Sequence, residues 1–285
     1  AQDSGCHLFT VKNLSDISYN NILNFMKNLE KDKKQTNNSN YWSDPNLNIL
    51  IPMAGAGSRF KEAGYIFPKP LIEIDNKPMI QWVIESLNLE GNFIFIVQKE
   101  HQEKYNINSV LKILKPNCKI IELDHITEGA ACTTLLAKEF INTNDPLIIA
   151  NSDQYIKWDS IKSMYNYNQK KIDGSILTFE AIHPKWSYAK TDNNNFVTEV
   201  AEKKVISKNA TVGVYYWKKG SDYVNCAETM IKKNIRVNNE FYVCPVYNEA
   251  IGEGKKIVID KVSEMHGLGT PDDLKNFITK KNLVN

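Results

Sequence analysis

The sequence predicts an α/β fold, a mostly parallel sheet with helices on both faces. Two observations carry that prediction. From Leu47 onward, short continuous runs of Ile, Val and Leu recur along the chain, as in strands buried on both sides. Between them lie stretches whose apolar residues recur at helical spacing. In such sheets ligands sit beyond the carboxyl ends of the strands. The two most unusual loops, after Pro52 and after Ala150, both follow predicted strands.

In chain order, residues 1–46 read differently from the rest. "YNNILNFMKNLEKDKK" places Ile22, Leu23, Phe25, Met26 and Leu29 near helical spacing, which predicts one amphipathic helix. "DKKQTNNSNYWSDPN" has the polar, Asn- and Lys-rich composition of a linker. We read 1–46 as an extension and linker, or the tail of an upstream domain, and 47–285 as the main domain. There "LNILIPMA", "NFIFIVQ", "CKIIEL", "PLIIANSD", "GSILTFEA", "TVGVYYW" and "KIVIDK" are expected strands. "PMIQWVIESLN", "AACTTLLAKEF", "SDYVNCAETMIKK" and "PDDLKNFITKK" are expected helices.

Composition narrows the function classes. A chain of 285 residues can bury a sizeable core, and its 42% apolar and 24% charged residues are ordinary for a globular protein. A formal charge of +2 argues for no general nucleic-acid or membrane-binding surface, yet is compatible with a local basic pocket. Cys6, Cys118, Cys132, Cys226 and Cys244 are far apart, and none has zinc spacing. Reduced thiols in a cytoplasmic protein are expected. No apolar stretch approaches the roughly 20 residues of a membrane span, and the N-terminus lacks a signal-peptide pattern.

"MAGAGSRF" follows a predicted strand directly, with Gly55 and Gly57 as its hinges. Small residues let consecutive backbone N–H groups converge on an anion, forming a phosphate nest. Arg59 adds a guanidinium fork suited to phosphate oxygens. Further on, "FPKPL" holds Lys69 between Pro68 and Pro70, restricting where its ammonium points. Arginine and lysine at one triphosphate stabilise charge in phosphoryl or nucleotidyl transfer. The third glycine of a dinucleotide fingerprint and the G-K-[ST] of a P-loop are both missing.

The strand, A-G-x-G-S-R and P-K-P-L together resemble the signature of the sugar-phosphate nucleotidyltransferases and their relatives acting on other phosphorylated alcohols. The resemblance continues at "TEGAACTTLLA", "PLIIANSDQ", "VTEVAEKKVISKNATVGVYYW" and "HGLGTPDDL", in the family's order, over most of 47–285. It implies a Rossmann-like, GT-A-like sheet with a smaller substrate-binding half. It implies that Ala54, Gly55, Ala56, Gly57 and Ser58 wrap the nucleotide, Arg59 meets its phosphates, and Lys69 binds both reacting phosphate groups. Asp153 would hold Mg²⁺ on the triphosphate, with Ser152 beside it; an Asx-turn closing the strand is the structural alternative.

The resemblance further places Glu128, Gly129 and Ala130 in the base-binding loop, where solvated roles stay open for Glu128 and for Asp124. Glu202 and Lys203 match the family's E-K pair, contacting acceptor hydroxyls and phosphate; solvated strand-end charges are the alternative. Tyr188 and Ala189, in "PKWSYAK", align with another acceptor segment, and Glu240 adds a hydroxyl contact. Trp186 and Phe241 are either packing residues or pocket walls.

One departure from the family pattern is Gly267, where many members carry a second metal-binding aspartate. Thr270, Pro271 and Asp273 read instead as a helix cap. The expected partners are an NTP and a phosphorylated small molecule, with no nucleic acid and no membrane; a homodimer is left open. Ser58 in "AGAGSR" resembles the cytidylyltransferase branch, so CTP and a surface-polysaccharide precursor are the expectation. UTP, dTTP or GTP with a sugar 1-phosphate is the alternative. Two readings of other classes compete. A GT-A glycosyltransferase usually shows D-x-D where this chain has "NSDQ", and a non-catalytic regulatory subunit rests on Gly267 alone.

Overall fold

The computed structural model describes residues 41–282. The amphipathic stretch at 22–29 and Cys6 lie outside the described residues. The strands are β1 (Trp42–Pro52), β2 (Glu73–Ile74), β3 (Lys77–Pro78), β4 (Leu89–Gln98), β5 (Lys119–Leu123), β6 (Leu147–Ala150) and β7 (Gln154–Lys157). They continue with β8 (Gly174–Glu180), β9 (Tyr188–Thr191), β10 (Val197–Ala201), β11 (Asn209–Trp217), β12 (Ile257–Lys261) and β13 (Glu264–Gly267).

A nine-stranded sheet runs β10-β9-β11-β6-β1-β4-β5, with β8 pairing β11 and β12 off that path. The β6-β1-β4-β5 half is parallel, with Ile49 in register with Phe93 on one side and Ile148 on the other. Beyond β6 the sheet turns antiparallel through β11, which pairs β6, β8 and β9. The first half ends in the loops after Pro52 and Ala150; the second carries "PKWS" and the E-K pair. The fold is therefore the expected α/β one, a mixed sheet flanked by helices.

Burial on both faces explains why β1 is apolar at every position from Ile49 to Ile51. Ile49 and Ile51 join Phe93, Phe95 and Ile148 in one core layer. Leu50 joins Ile94, Ile96 and Ile149 in the layer on the opposite face. Each such side chain, removed wholly from water, contributes about 1.5–3 kcal/mol. A third cluster of Phe60, Ile72, Ile74, Met79, Leu268, Leu274 and Phe277 fastens the segment carrying Arg59 and Lys69 to the start of the C-terminal helix Pro271–Asn282.

Several elements differ from the sequence reading. β1 starts at Trp42 rather than Leu47: Trp42 and Ser43 pair with Leu89 and Glu90 before an irregularity that ends at Asn48. The polar "SDPN" hides this pairing, because Asn46 N–H turns back to Asp44 Oδ1 and Pro45 O is used by Asn92. "AACTTLLAKEF" forms two short helices, Ala130–Leu135 and Lys138–Ile141, because tight i→i−3 bonds at Leu136 and Ala137 break the run. The β9–β10 hairpin and the β7–β13 ribbon were not expected. Among the described residues, no helix is long and apolar enough to cross a membrane.

Candidate active site

The loop after β1 is held in shape from below. Met53 N–H bonds Ile96 O, and the Gln98 side-chain amide donates to Ala54 O at 2.8 Å and Gly55 O at 3.0 Å. Gly57 takes a left-handed φ of 60° to start the short helix Ser58–Glu62. Among the described residues, the amides of Gly55, Ala56 and Gly57 donate to no partner. Carbonyls tied off from behind, with amides left bare, suit an anion. Sequence reasoning missed Gln98, whose only signal is a polar residue closing an apolar strand.

Lys69 sits in a single 3₁₀ turn, Lys69–Leu71, between extended Pro68 and Pro70. Its ammonium lies 2.9 Å from Asp153 Oδ2, with both side chains partly shielded from solvent. Asp153 follows β6 by a short loop, and its carbonyl accepts from Leu268 N–H at 2.7 Å. The bare Gly269 leaves room for its carboxylate, since a Cβ there would stand 2.9 Å from Oδ2. Two motifs far apart in sequence thus converge on one charge pair.

That pair lies in a cavity of about 510 Å³. Gly57, Ser58, Arg59, Lys69, Ala130 and Asp153 line one part of it. Among the described residues, Arg59 has no ion-pair partner, so its guanidinium is available to a ligand. Lys185, Trp186, Ser187, Glu202, Lys203 and Tyr242 line another part. The Ser187 hydroxyl donates to Glu202 Oε2. Burial, only partly offset by that bond and by Lys203, raises the Glu202 carboxyl above the usual range. Lys203 holds a φ of 54° in the left-handed region, and its ammonium bonds the Tyr242 hydroxyl and lies over its ring. Cys244 also lines the cavity, but burial pushes its thiol far up, so it supplies no thiolate near neutral pH.

Other expected site residues sit elsewhere. Tyr188 and Ala189 are fully buried in β9, with the Tyr188 hydroxyl on His183 O, while their neighbours Trp186 and Ser187 face the cavity. Ala54 and Ser152 are buried beside the lining residues. Asp124 pairs with His125 at the surface. Glu128 is ion-paired to Arg236, and Gly129 packs on the Phe241 backbone. Glu240 stands at a turn bridge with Val237, close enough to raise Glu202 and Tyr242 slightly. Trp186 is a cavity wall and Phe241 a core residue.

At Gly267, a Cβ would come 3.2 Å from the Trp186 ring, so a larger residue there requires the ring to give way by a few tenths of an ångström. Asp273 caps the C-terminal helix with Thr270, as expected, and also bonds Lys185 at 3.0 Å on the cavity wall. Among the described residues, no three His, Cys, Asp or Glu side chains cluster as a metal cage. Magnesium is commonly held by one or two carboxylates plus substrate phosphates. Asp153 beside a loop whose amides at 55–57 have no partner among the described residues fits that mode.

The profile of the nucleotidyl transferase family matches residues 49–270. The bifunctional protein GlmU of Thermosipho melanesiensis is 27% identical over 195 residues, 68% of this chain and 39% of that protein. A mannose-1-phosphate guanyltransferase of Yarrowia lipolytica is 31% identical over 117 residues, 36% of this chain and 30% of its own length. The chain spans less than half the length of these relatives. A nucleoside-diphosphate-sugar pyrophosphorylase from Vibrio cholerae superposes with a TM-score of 0.68 at 24% identity, covering 81% of this chain and 99% of that one. The inositol-1-phosphate CTP transferase from T. maritima superposes at 0.65 and 14% identity, over 82% and 95%. These two likenesses establish a shared fold.

Proposed function

This chain belongs to the nucleotidyl transferase family, and from that premise we propose that it transfers a nucleotidyl group from an NTP to a phosphorylated sugar or polyol. The observation that carries the reading is the meeting of Lys69 and Asp153 at 2.9 Å in one cavity that also holds Arg59, Glu202 and Lys203. An oxygen of the acceptor phosphate attacks the α-phosphorus. One P–O bond forms, the bond from the α-phosphorus to the bridging oxygen breaks, and pyrophosphate leaves. The acceptor phosphate is already an anion, so no protein nucleophile takes part.

The chain's residues align charges and neutralise them. The amides of 55–57 and Arg59 hold the triphosphate, and Lys69 lies between the reacting phosphates. Lys203 receives the acceptor phosphate and Glu202 an acceptor hydroxyl. Asp153 would hold Mg²⁺, which when bound supplies neutralisation of triphosphate charge. The loop 128–130, with Ala130 on the cavity, serves the base.

For the base we favour CTP, supported by Ser58 in "AGAGSR", with a CDP-linked precursor of a surface polysaccharide as product. UTP, dTTP or GTP with a sugar 1-phosphate is the second reading, and the similarity to a mannose-1-phosphate guanyltransferase favours it. Pyrophosphate release from CTP, UTP, dTTP, GTP and ATP, against a common panel of phosphorylated acceptors, tests both. Release with CTP and a sugar or polyol phosphate supports the first. A clear preference for UTP, dTTP or GTP with a sugar 1-phosphate removes CTP and leaves the reaction class standing.

A further inference from the structure

We propose that Arg236, which is not among the residues lining the cavity, positions the base-reading loop and thereby sets nucleotide affinity and base discrimination. This inference rests on the nucleotidyl-transfer reading above. The Thr127 and Thr133 hydroxyls tie Gly129 O within the loop 127–131, and the loop borrows further backbone partners from the turn at 234–241. Phe241 N–H donates to Glu128 O at 2.8 Å, and Ala131 N–H donates to Phe241 O at 2.9 Å. Between these bonds Gly129 takes a φ of 132°, and a Cβ there would come within 2.5 Å of the Phe241 backbone. Ala130, the loop residue on the cavity wall, is therefore placed by where Phe241 stands.

Phe241 is buried in the core, and Arg236 covers its ring. The guanidinium lies on its ring with the central carbon 3.9 Å from the centroid. The same group donates from Nε to Asn234 Oδ1 at 2.6 Å, from Nη1 to Asn239 O at 3.2 Å, and from Nη2 to the Glu128 carboxylate. Left-handed backbone at Asn234, Asn238 and Asn239 shapes the turn around it. One planar group thus joins the ring, the turn and the base loop, a geometry open to arginine and closed to lysine. The ion pair alone contributes little, since the Glu128 side chain is 66% exposed. The ring contact and the turn bonds organise the loop, and the charge of Glu128 is secondary.

The test is equilibrium binding of CTP, UTP, dTTP, GTP and ATP by titration calorimetry to the full chain, its Arg236→Ala and Arg236→Lys variants and Glu128→Gln, with kcat and melting measured alongside. Arg236→Ala should weaken the preferred nucleotide about 10-fold, as expected for coupled neighbours. It should also shrink the ratio between the preferred and next-best base, with kcat at saturation within about twofold. Arg236→Lys should restore only part of the loss, and Glu128→Gln should lose less than Arg236→Ala.

Unchanged affinities and base ratios in folded Arg236 variants would overturn the proposal and leave the reaction reading intact. So would full rescue by lysine, or a loss of kcat and melting temperature with the base ratio unmoved. If the unaltered chain bound no nucleotide, the reading of the whole site would fall, and this inference with it.

Discussion

At the scale of single residues, the proposed roles of Lys69 and Arg59 rest on how each charge is presented to the cavity. Lys69 is flanked by prolines and paired with Asp153, and Arg59 follows a glycine-started turn at the cavity. Removing a charge-stabilising donor typically costs about 10²–10³ in turnover. Lys69→Ala and Arg59→Ala are each expected to lose at least about 10²-fold, and near-normal kcat/KM in both would remove their roles. Asp153→Asn should nearly abolish Mg²⁺-dependent activity while melting changes little; an unaltered Mg²⁺ titration would take Asp153 out of the metal site. Glu202 gives a pH signature. Its carboxyl is raised in the folded chain, so the folded state binds that proton more tightly than the unfolded one. The resulting stability is full below the ordinary value of about 4.3 and is lost as pH rises through the raised folded value. Glu202→Gln should melt with less of that decline across the window, and an identical profile would contradict the assignment. That Arg59, Lys69 and Asp153 share one cavity agrees with the order of motifs that carried the family resemblance, and no periodicity in the sequence would have brought them together. Ser187 is not legible in this way, because Trp186 and Ser187 line the cavity just before β9 while Tyr188 and Ala189 are buried in it, and "PKWSYAK" contains no periodic signal for that change.

At the scale of elements, β1 ties the chain entering the domain to the glycine-rich loop at the cavity. Trp42 pairs with Leu89 and packs at the edge of the core layer that holds Ile49 and Ile51. A chain beginning at Tyr41 should therefore keep its nucleotidyl transfer rate, whereas one beginning at Leu47 loses that pairing. The shorter chain should be less stable by about 1–3 kcal/mol, the scale of one large apolar side chain. Matched denaturant midpoints for the two would contradict this, and loss of activity in a folded chain from Tyr41 would place residues 1–40 in the chemistry. The element-level signal in the sequence was strongest where burial is two-sided. β6 and the Phe93–Val97 part of β4 are continuous apolar runs, so their type follows from composition alone. β9 and β10 are short and half polar, and their pairing is set by the turn in which Asp192 accepts from Asn194 and Phe196. The start of β1 was hidden for the same reason: "SDPN" reads as linker until its partner strand is known.

At the scale of the whole molecule, one sheet places two kinds of loop around one cavity. Its parallel half brings the glycine-rich turn and Asp153 to the strand ends, as open α/β sheets do. The antiparallel half, joined through β11, brings the "PKWS" segment and the E-K pair to face them. A third core cluster packs the segment around Arg59 and Lys69 against the C-terminal helix. The account's central claim is that this cavity joins an NTP to a phosphorylated acceptor with departure of pyrophosphate. The most direct measurement mixes the protein with Mg²⁺, each of the five NTPs and a panel of sugar and polyol phosphates, following pyrophosphate while mass spectrometry identifies the product. The account predicts pyrophosphate and a nucleotide-diphospho product in equal amounts, only when both substrates are present, and loss of both in Lys69→Ala. Pyrophosphate without the joined product, or no pyrophosphate with any pair while the protein is folded, would contradict it.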